Sequence, residues 1–341
     1  MSACGCAHGA VDVHTHFVPS DLPACPGESA RRHWPTMQPA AQCGHKHVMI
    51  DGRNFRTVSA QCWDAELRLS DMQKMGVRHQ VVSPMPELLS YWMQPADARA
   101  LLRSVNEQIA EFVRARPDAF TGLCAVPLQD VDLAVEELDY AMGKLGLAGV
   151  EIGTNIGGVP IGHPSLEPFF SAAARLGAAV FVHPIRPAGA DRLVGPPVLE
   201  QAVAFPGETG LAAVSAMTGD LLGRHPGLRL GFSHGGGTLA ALLPRLRHAR
   251  RAFPVLAQAV TQDPYDYARR FFYDTLVYDR STLARLIELF GASQLMLGTD
   301  YPFAIMEHEP LVRLDELGAA ADVLRALRRD NALRFIGRTA S

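Results

Sequence analysis

Short apolar, β-branched runs alternate with longer stretches of helical period along the 341 residues. The runs fall at 11–16, 79–84, 120–126, 148–153, 178–183, 228–233, 270–275 and 293–298. They are nearly unbroken rather than alternating apolar with polar, which predicts strands covered on both faces and hence a parallel sheet. Segments of helical period lie near 64–76, 96–116, 130–145, 165–177, 208–225, 238–252, 281–291 and 318–336. Eight strand–helix repeats are what a (β/α)8 barrel needs to close. The reading is therefore an α/β TIM barrel, one domain over 1–341, in which Phe271-Phe272-Tyr273-Asp274-Thr275 has the least strand character.

Two long connections interrupt this rhythm. Residues 18–62, rich in Pro, Gly and Cys, predict a small flap or antiparallel element over the barrel mouth. The stretch Pro184–Pro206 is proline-rich and reads as an irregular loop. Loops that follow barrel strands lie at the C-terminal face, where such folds place their chemistry.

Composition narrows the function classes. Hydrophobic residues make up 48% and charged residues 20%, with a formal net charge of −3, so there is no electrostatic case for nucleic acid or an anionic membrane. No apolar stretch approaches the roughly 20 residues needed to span a bilayer. The N-terminal residues lack a basic region and an apolar core, so no secretory signal is expected and a cytoplasmic location follows. The cysteines, Cys4, Cys6, Cys25, Cys43, Cys62 and Cys124, are too scattered for a disulfide scaffold and predict reduced thiols. Cys4-x-Cys6-x-His8 and Cys43-Gly44-His45-Lys46-His47 lack a second ligand pair; the first reads as a frayed terminus and the second as a surface loop.

The ends of the strands carry the chemistry. Val11-Asp12-Val13-His14-Thr15-His16 closes in His-x-His, whose side chains fall on one side of a strand. Ala178–His183 and Leu228–His234 end in histidine, and Gln294–Asp300 ends in a carboxylate. His14, His16, His183 and Asp300 together offer three neutral nitrogens and one carboxylate. That set suits zinc, with manganese or another divalent ion as alternatives, and leaves a position open. His234 opens His234-Gly235-Gly236-Gly237, whose glycines let the backbone turn and leave room beside the metal. It serves either as a fifth ligand or as a general base, the latter favoured because histidine titrates near neutrality.

These residues resemble the amidohydrolase superfamily, and most closely its subgroup of α-amino-β-carboxymuconate-ε-semialdehyde decarboxylases and related nonoxidative decarboxylases. The likeness runs through Val11–Phe17, Asn54-Phe55-Arg56, Trp63-Asp64, Ser90-Tyr91-Trp92, Val126-Pro127-Leu128-Gln129, Phe181-Val182-His183-Pro184, His234–Gly237 and Leu297–Phe303. It implies that His14, His16, His183 and Asp300 hold the metal and that His234 is the catalytic histidine beside it. It further implies that Arg56 binds a substrate carboxylate and that Arg245 reaches into a neighbouring subunit's site, which requires a homodimer. A guanidinium fork suits a carboxylate. Two-metal relatives bridge their ions with a lysine on the fourth strand; here that strand reads Gly149-Val150-Glu151-Ile152-Gly153 and the only lysines are Lys46, Lys74 and Lys144, so one metal is expected.

The chain departs from the subgroup after His183-Pro184, where Ile185-Arg186-Pro187 stands in place of a Trp-Asp pair. Arg186 and Trp92 are then candidate substrate contacts in a remodelled pocket. The implied activity is metal-dependent decarboxylation of a small unsaturated or aromatic acid, such as 2-amino-3-carboxymuconate 6-semialdehyde or a related intermediate of tryptophan or aromatic-compound breakdown. A hydrolase or hydratase on the same metal scaffold is the alternative.

Overall fold

The computed structural model describes residues 9–27, 31 and 33–338, so the Cys4-x-Cys6-x-His8 tract lies outside the described residues. The strands in chain order are β1 (Ala10–Phe17), β2 (Thr36–Pro39), β3 (His45–Ile50), β4 (Arg53–Ser59), β5 (Val77–Pro84), β6 (Phe120–Cys124), β7 (Gly149–Gly153), β8 (Asn155–Ile156), β9 (Val159–Pro160), β10 (Ala179–His183), β11 (Arg229–Phe232), β12 (Phe272–Asp274) and β13 (Leu295–Met296). Eight of them pair in parallel in the order β1-β5-β6-β7-β10-β11-β12-β13. The chain beyond β13 closes the ring against β1: Val13 N donates to Leu297 O at 2.9 Å, Asp300 N to His14 O at 2.9 Å and His16 N to Tyr301 O at 2.7 Å. The fold is a (β/α)8 barrel, and its strands sit where the apolar runs predict them.

Local chemistry sets the helix starts. The helices Ala65–Met75, Val131–Gly143 and Arg280–Phe290 each begin after an aspartate, Asp64, Asp130 or Asp279, whose side chain accepts from free N–H groups of the first turn. The first of these ends at Gly76, whose φ of 72° is a conformation that glycine adopts without penalty. The barrel interior below the mouth is filled by Val11, Val13, Val81, Leu123, Phe181 and Met296, and the C-terminal helix Asn331–Phe335 plugs it with Leu333 and Phe335.

The pairing of β1 with β5 shifts register between Asp12 and Thr15. Val11 and Val13 pack into the barrel core, whereas past the shift it is His14 and His16 that approach His183 and Asp300. This irregularity lets one strand serve first the core and then the site.

Three sequence expectations change. The expected helix 318–336 is instead Ala321–Phe335, with a wider π turn over Ala326–Asp330. Pro184–Pro206 is not wholly irregular: it holds a 3-10 turn at Ala190–Arg192 and a π turn at Glu200–Ala204 that leads directly into the helix Phe205–Thr218. The segment expected as a surface loop around Cys43 enters strand β3 at His45, part of the antiparallel sheet β2-β3-β4. Val48 and Val58 of that sheet pack with Met85, Leu88 and Phe303, which seats it on the rim of the barrel mouth.

Candidate active site

The ring nitrogens of three histidines converge because their other nitrogens are occupied. His16 Nδ1 lies 3.4 Å from Pro84 O and His183 Nδ1 lies 3.1 Å from Pro184 O. A carbonyl oxygen only accepts, so both Nδ1 atoms carry the proton. His14 Nδ1 donates to Asp274 Oδ2 at 2.7 Å. Each Nε2 lone pair is thereby directed inward.

His14 Nε2 stands 3.2 Å from His16 Nε2, and Asp300 Oδ1 is 2.9 Å from His16 Nε2 and 3.6 Å from His14 Nε2. His183 Nε2 is buried with no hydrogen-bond partner among the described residues. Ligand atoms of His14, His16, His183 and Asp300 all lie within 4.8 Å of one another. Facing acceptors and an orphaned buried nitrogen are costly unless a cation sits between them. Charge agrees: burial opposes protonation of His14, yet Asp274 and Asp300 lift its imidazole to about 9. Burial likewise opposes ionisation of Asp300, but the His16 hydrogen bond and neighbouring imidazoles bring it down to about 2. This buried three-histidine, one-aspartate group suits a divalent metal.

His234 stands beside this group without joining it. Its ring centroid is 5.3 Å from that of His14 and 5.2 Å from that of His183. Burial and the nearby His14 push it down to about 4, so it rests neutral. Its backbone has a φ of 55°, and its N–H donates to Asp274 Oδ2 at 2.9 Å. The three glycines that follow also have positive φ, but their missing side chains serve packing more than the ligand. A Cβ on Gly235 would meet Val277 and Leu286, one on Gly236 would meet Tyr273, and only Gly237 lines the cavity.

An inner cavity of about 590 Å³ reaches His183, His234 and Asp300, and Arg56, Glu87, Phe205, Tyr278 and Phe303 are among its walls. Arg56 projects from β4 of the rim sheet, its guanidinium 4.4 Å over the Phe303 ring and Nη2 donating to Glu87 Oε1 at 3.1 Å. Arg186 does not share this inner wall. It stacks on Trp92 at 4.2 Å, and both line an adjoining outer cavity. Arg245, on the helix Leu239–Ala252, is exposed and lines neither cavity of its own chain. The Cys43, His45 and His47 tract gathers no ligand set among the described residues: His45 bonds Cys43 O and His47 bonds Thr57.

Several supporting residues went unread in the sequence. Asp274, fully buried, joins His14 to the His234 turn and also accepts from Gly235 N at 2.7 Å and Leu276 N at 3.1 Å. Asp12 accepts from His14 N and from Thr299 Oγ1, which ties the two ligand segments together. Arg68, wholly buried, donates to His16 O, Thr15 Oγ1 and Gln80 Oε1 and lies 5.0 Å over Tyr301. Glu151, held up at about 8 by burial, accepts from Ser83 Oγ at 2.5 Å. Only Asp274 had a readable signal: like His183, it ends a buried barrel strand.

A closed parallel barrel with such a ligand group at the C-terminal ends of its strands is the frame of a metal-dependent barrel enzyme. Its sequence matches the amidohydrolase family model over residues 11–338, and the chain belongs to that family. Similar proteins within the family include decarboxylases. It is 35% identical to 2-amino-3-carboxymuconate-6-semialdehyde decarboxylase of Dictyostelium discoideum, over 96% of this chain and 91% of that one. It is 30% identical to gamma-resorcylate decarboxylase of Rhodococcus jostii, over 72% and 82% of the two chains. Among solved structures, the fold superposes with a TM-score of 0.75 on a dihydroxybenzoic acid decarboxylase from Polaromonas carrying manganese, at 20% identity over 96% and 97% of the chains. The chain is a carboxy-lyase of this family.

Proposed function

We propose that the protein decarboxylates a small unsaturated or aromatic acid of the kind its relatives act on, a 2-amino-3-carboxymuconate semialdehyde or a hydroxybenzoate-type acid. The observation that carries this reading is the inner cavity, which runs from Arg56 to His183 and Asp300 of the converging group. His14, His16, His183 and Asp300 would hold one divalent ion, zinc or manganese. When bound it supplies Lewis-acid polarisation and orientation of the substrate's oxygens.

The remaining work falls to the chain itself. Arg56 binds a carboxylate through the guanidinium N–H groups that Glu87 leaves free. Phe205 and Phe303 exclude water from the cavity wall. His234, neutral at rest, takes up one proton from solvent water and passes it to the carbon that bears the departing carboxylate, returning to its neutral form. Protonation there breaks conjugation; C–C cleavage then releases CO2 and restores it, with one proton in the carboxylate's place.

A dimer completes the reading. Arg245 has no hydrogen-bond or ion-pair partner among the described residues, whereas Arg247 on the same helix is held by Asp263. Phe253 and Val255 just beyond that helix are 59% and 73% exposed, an apolar surface of the kind a second copy covers. The test of function is product mass after incubating metal-loaded protein with a panel of such acids. Products lighter by CO2 support decarboxylation; products heavier by water, without gas, mark a hydratase or hydrolase.

A further inference from the structure

One polar side chain on the inner cavity wall is held in a strained backbone pose. Tyr278, on the loop from β12 to the helix Arg280–Phe290, lines that cavity with His234 and Asp300. Its φ of 57° is a left-handed conformation, unfavourable for a residue with a bulky side chain. Hydrogen bonds fix the chain on either side of it. Asp274 accepts from Leu276 N at 3.1 Å, and Asp279 caps the helix by accepting from Ser281 Oγ at 2.6 Å and Thr282 N at 2.7 Å. A Cβ on Gly235 would meet Val277 Cγ1 at 2.6 Å, so the loop packs against the turn that carries His234. Strain of this kind persists where the surroundings over-determine it, and it clusters at ligand sites.

The hydroxyl of Tyr278 lies toward the metal end of that cavity. The residue as a whole is 44% exposed, yet burial is the largest influence on its hydroxyl, followed by the Asp300, Asp274 and Glu307 carboxylates. All of these raise it above its ordinary value, so it stays a neutral donor. It makes no hydrogen bond among the described residues. A phenolic O–H withdrawn from water ordinarily finds an acceptor. Asp300 and Asp274 are already committed to imidazole and backbone N–H groups, which leaves an occupant of the cavity to supply one.

We propose that Tyr278 is a substrate-binding residue whose O–H donates to a carboxylate oxygen of the bound acid at the His234 end of the cavity. This rests on the reading of the inner cavity as the acid-binding site. Arg56 and Tyr278 then hold the acid from two elements: the arginine brings charge from the rim sheet, and the phenol fixes the group beside His234 from the β12 loop. A neutral donor orients that group without adding a cation beside the one the four ligands would hold.

Calorimetric binding of phthalate to the metal-loaded protein tests this without requiring turnover, because a diacid offers one carboxylate to Arg56 and another to Tyr278. Tyr278→Phe removes only the oxygen and keeps the ring and the backbone pose. It should weaken phthalate by about tenfold or more, the worth of one hydrogen bond to a charged acceptor. Metal content and melting temperature should stay at their wild-type values. A Tyr278→Phe protein that binds phthalate within about twofold of wild type overturns the assignment and leaves the acid-binding reading intact. A loss of affinity that comes with lost metal or a lower melting temperature also overturns it, since Tyr278 is then a structural support. Wild-type protein that holds its metal yet binds no phthalate sinks the acid-binding reading of the cavity, and the role of Tyr278 with it.

Discussion

Replacing Asp274 by asparagine isolates the residue that orients the metal-side histidines. Its carboxylate takes four hydrogen bonds, from His14 Nδ1 at 2.7 Å, His234 N at 2.9 Å, Gly235 N at 2.7 Å and Leu276 N at 3.1 Å. An amide oxygen can keep the pair from Gly235 and Leu276, but its NH2 then faces the His234 N–H and the His14 ring. His14 must switch its proton to Nε2 to accept from that NH2, and so loses the lone pair aimed at the metal. Loss of such a partner weakens metal affinity by about 10- to 100-fold, or about 1.4–2.7 kcal/mol. The unpaired His234 N–H adds about 1–3 kcal/mol of destabilisation. Competition with a chelator of known affinity reads the first effect, and urea unfolding of the metal-free protein reads the second. A folded Asp274→Asn protein whose metal affinity stays within about twofold of wild type would refute the orientation argument.

Other residues make separate predictions. Burial first, against the weaker pull of the Asp118 carbonyl, depresses His79 to about 4 from the ordinary 6.5; the unfolded chain then binds a proton that the fold does not, so stability is full above about pH 6.5 and falls towards pH 4. The ceiling is about 3 kcal/mol, and urea midpoints of His79→Asn should be flatter than wild type across that window. Gly298→Ala places a Cβ 2.7 Å from Asp274 Cβ and 3.0 Å from His14 Cβ, and should cost about 1–3 kcal/mol of stability along with metal affinity. A melting point and metal content equal to wild type contradict that. Arg56→Ala and Arg245→Ala proteins, each inactive, should regain part of their activity once mixed and allowed to exchange subunits, because one kind of mixed dimer site is whole. No recovery after exchange, confirmed by mass, rules out a shared site.

The barrel was legible because parallel strands buried on both faces write themselves as apolar runs, and even the weakest run, around Phe272–Asp274, became β12. The candidate ligands were legible for a related reason: a polar residue that ends such a run is conspicuous. Asp274 meets the same criterion, yet an aspartate at a strand end is as readily taken for a turn residue, and its partner His14 lies 260 positions away. Arg68 sits between Leu67 and Leu69 on the helix Ala65–Met75, where nothing in the spacing marks the arginine as the side chain that turns inward with Met72. Glu87 reads as an ordinary charge in a turn until the rim sheet brings Arg56 against it. The position of Arg186 was set by the course of its loop: a φ of 44° and stacking on Trp92 hold it at the outer cavity, which no local pattern reveals.

The central claim is that the four converging side chains hold one divalent ion on which decarboxylation depends. Its most direct test is release of labelled CO2 from a carboxyl-labelled acid, followed in one sample while a chelator removes the metal and zinc or manganese restores it. Gas evolution should fall with metal content and return at one ion per chain. Undiminished CO2 release from metal-free protein would contradict the account.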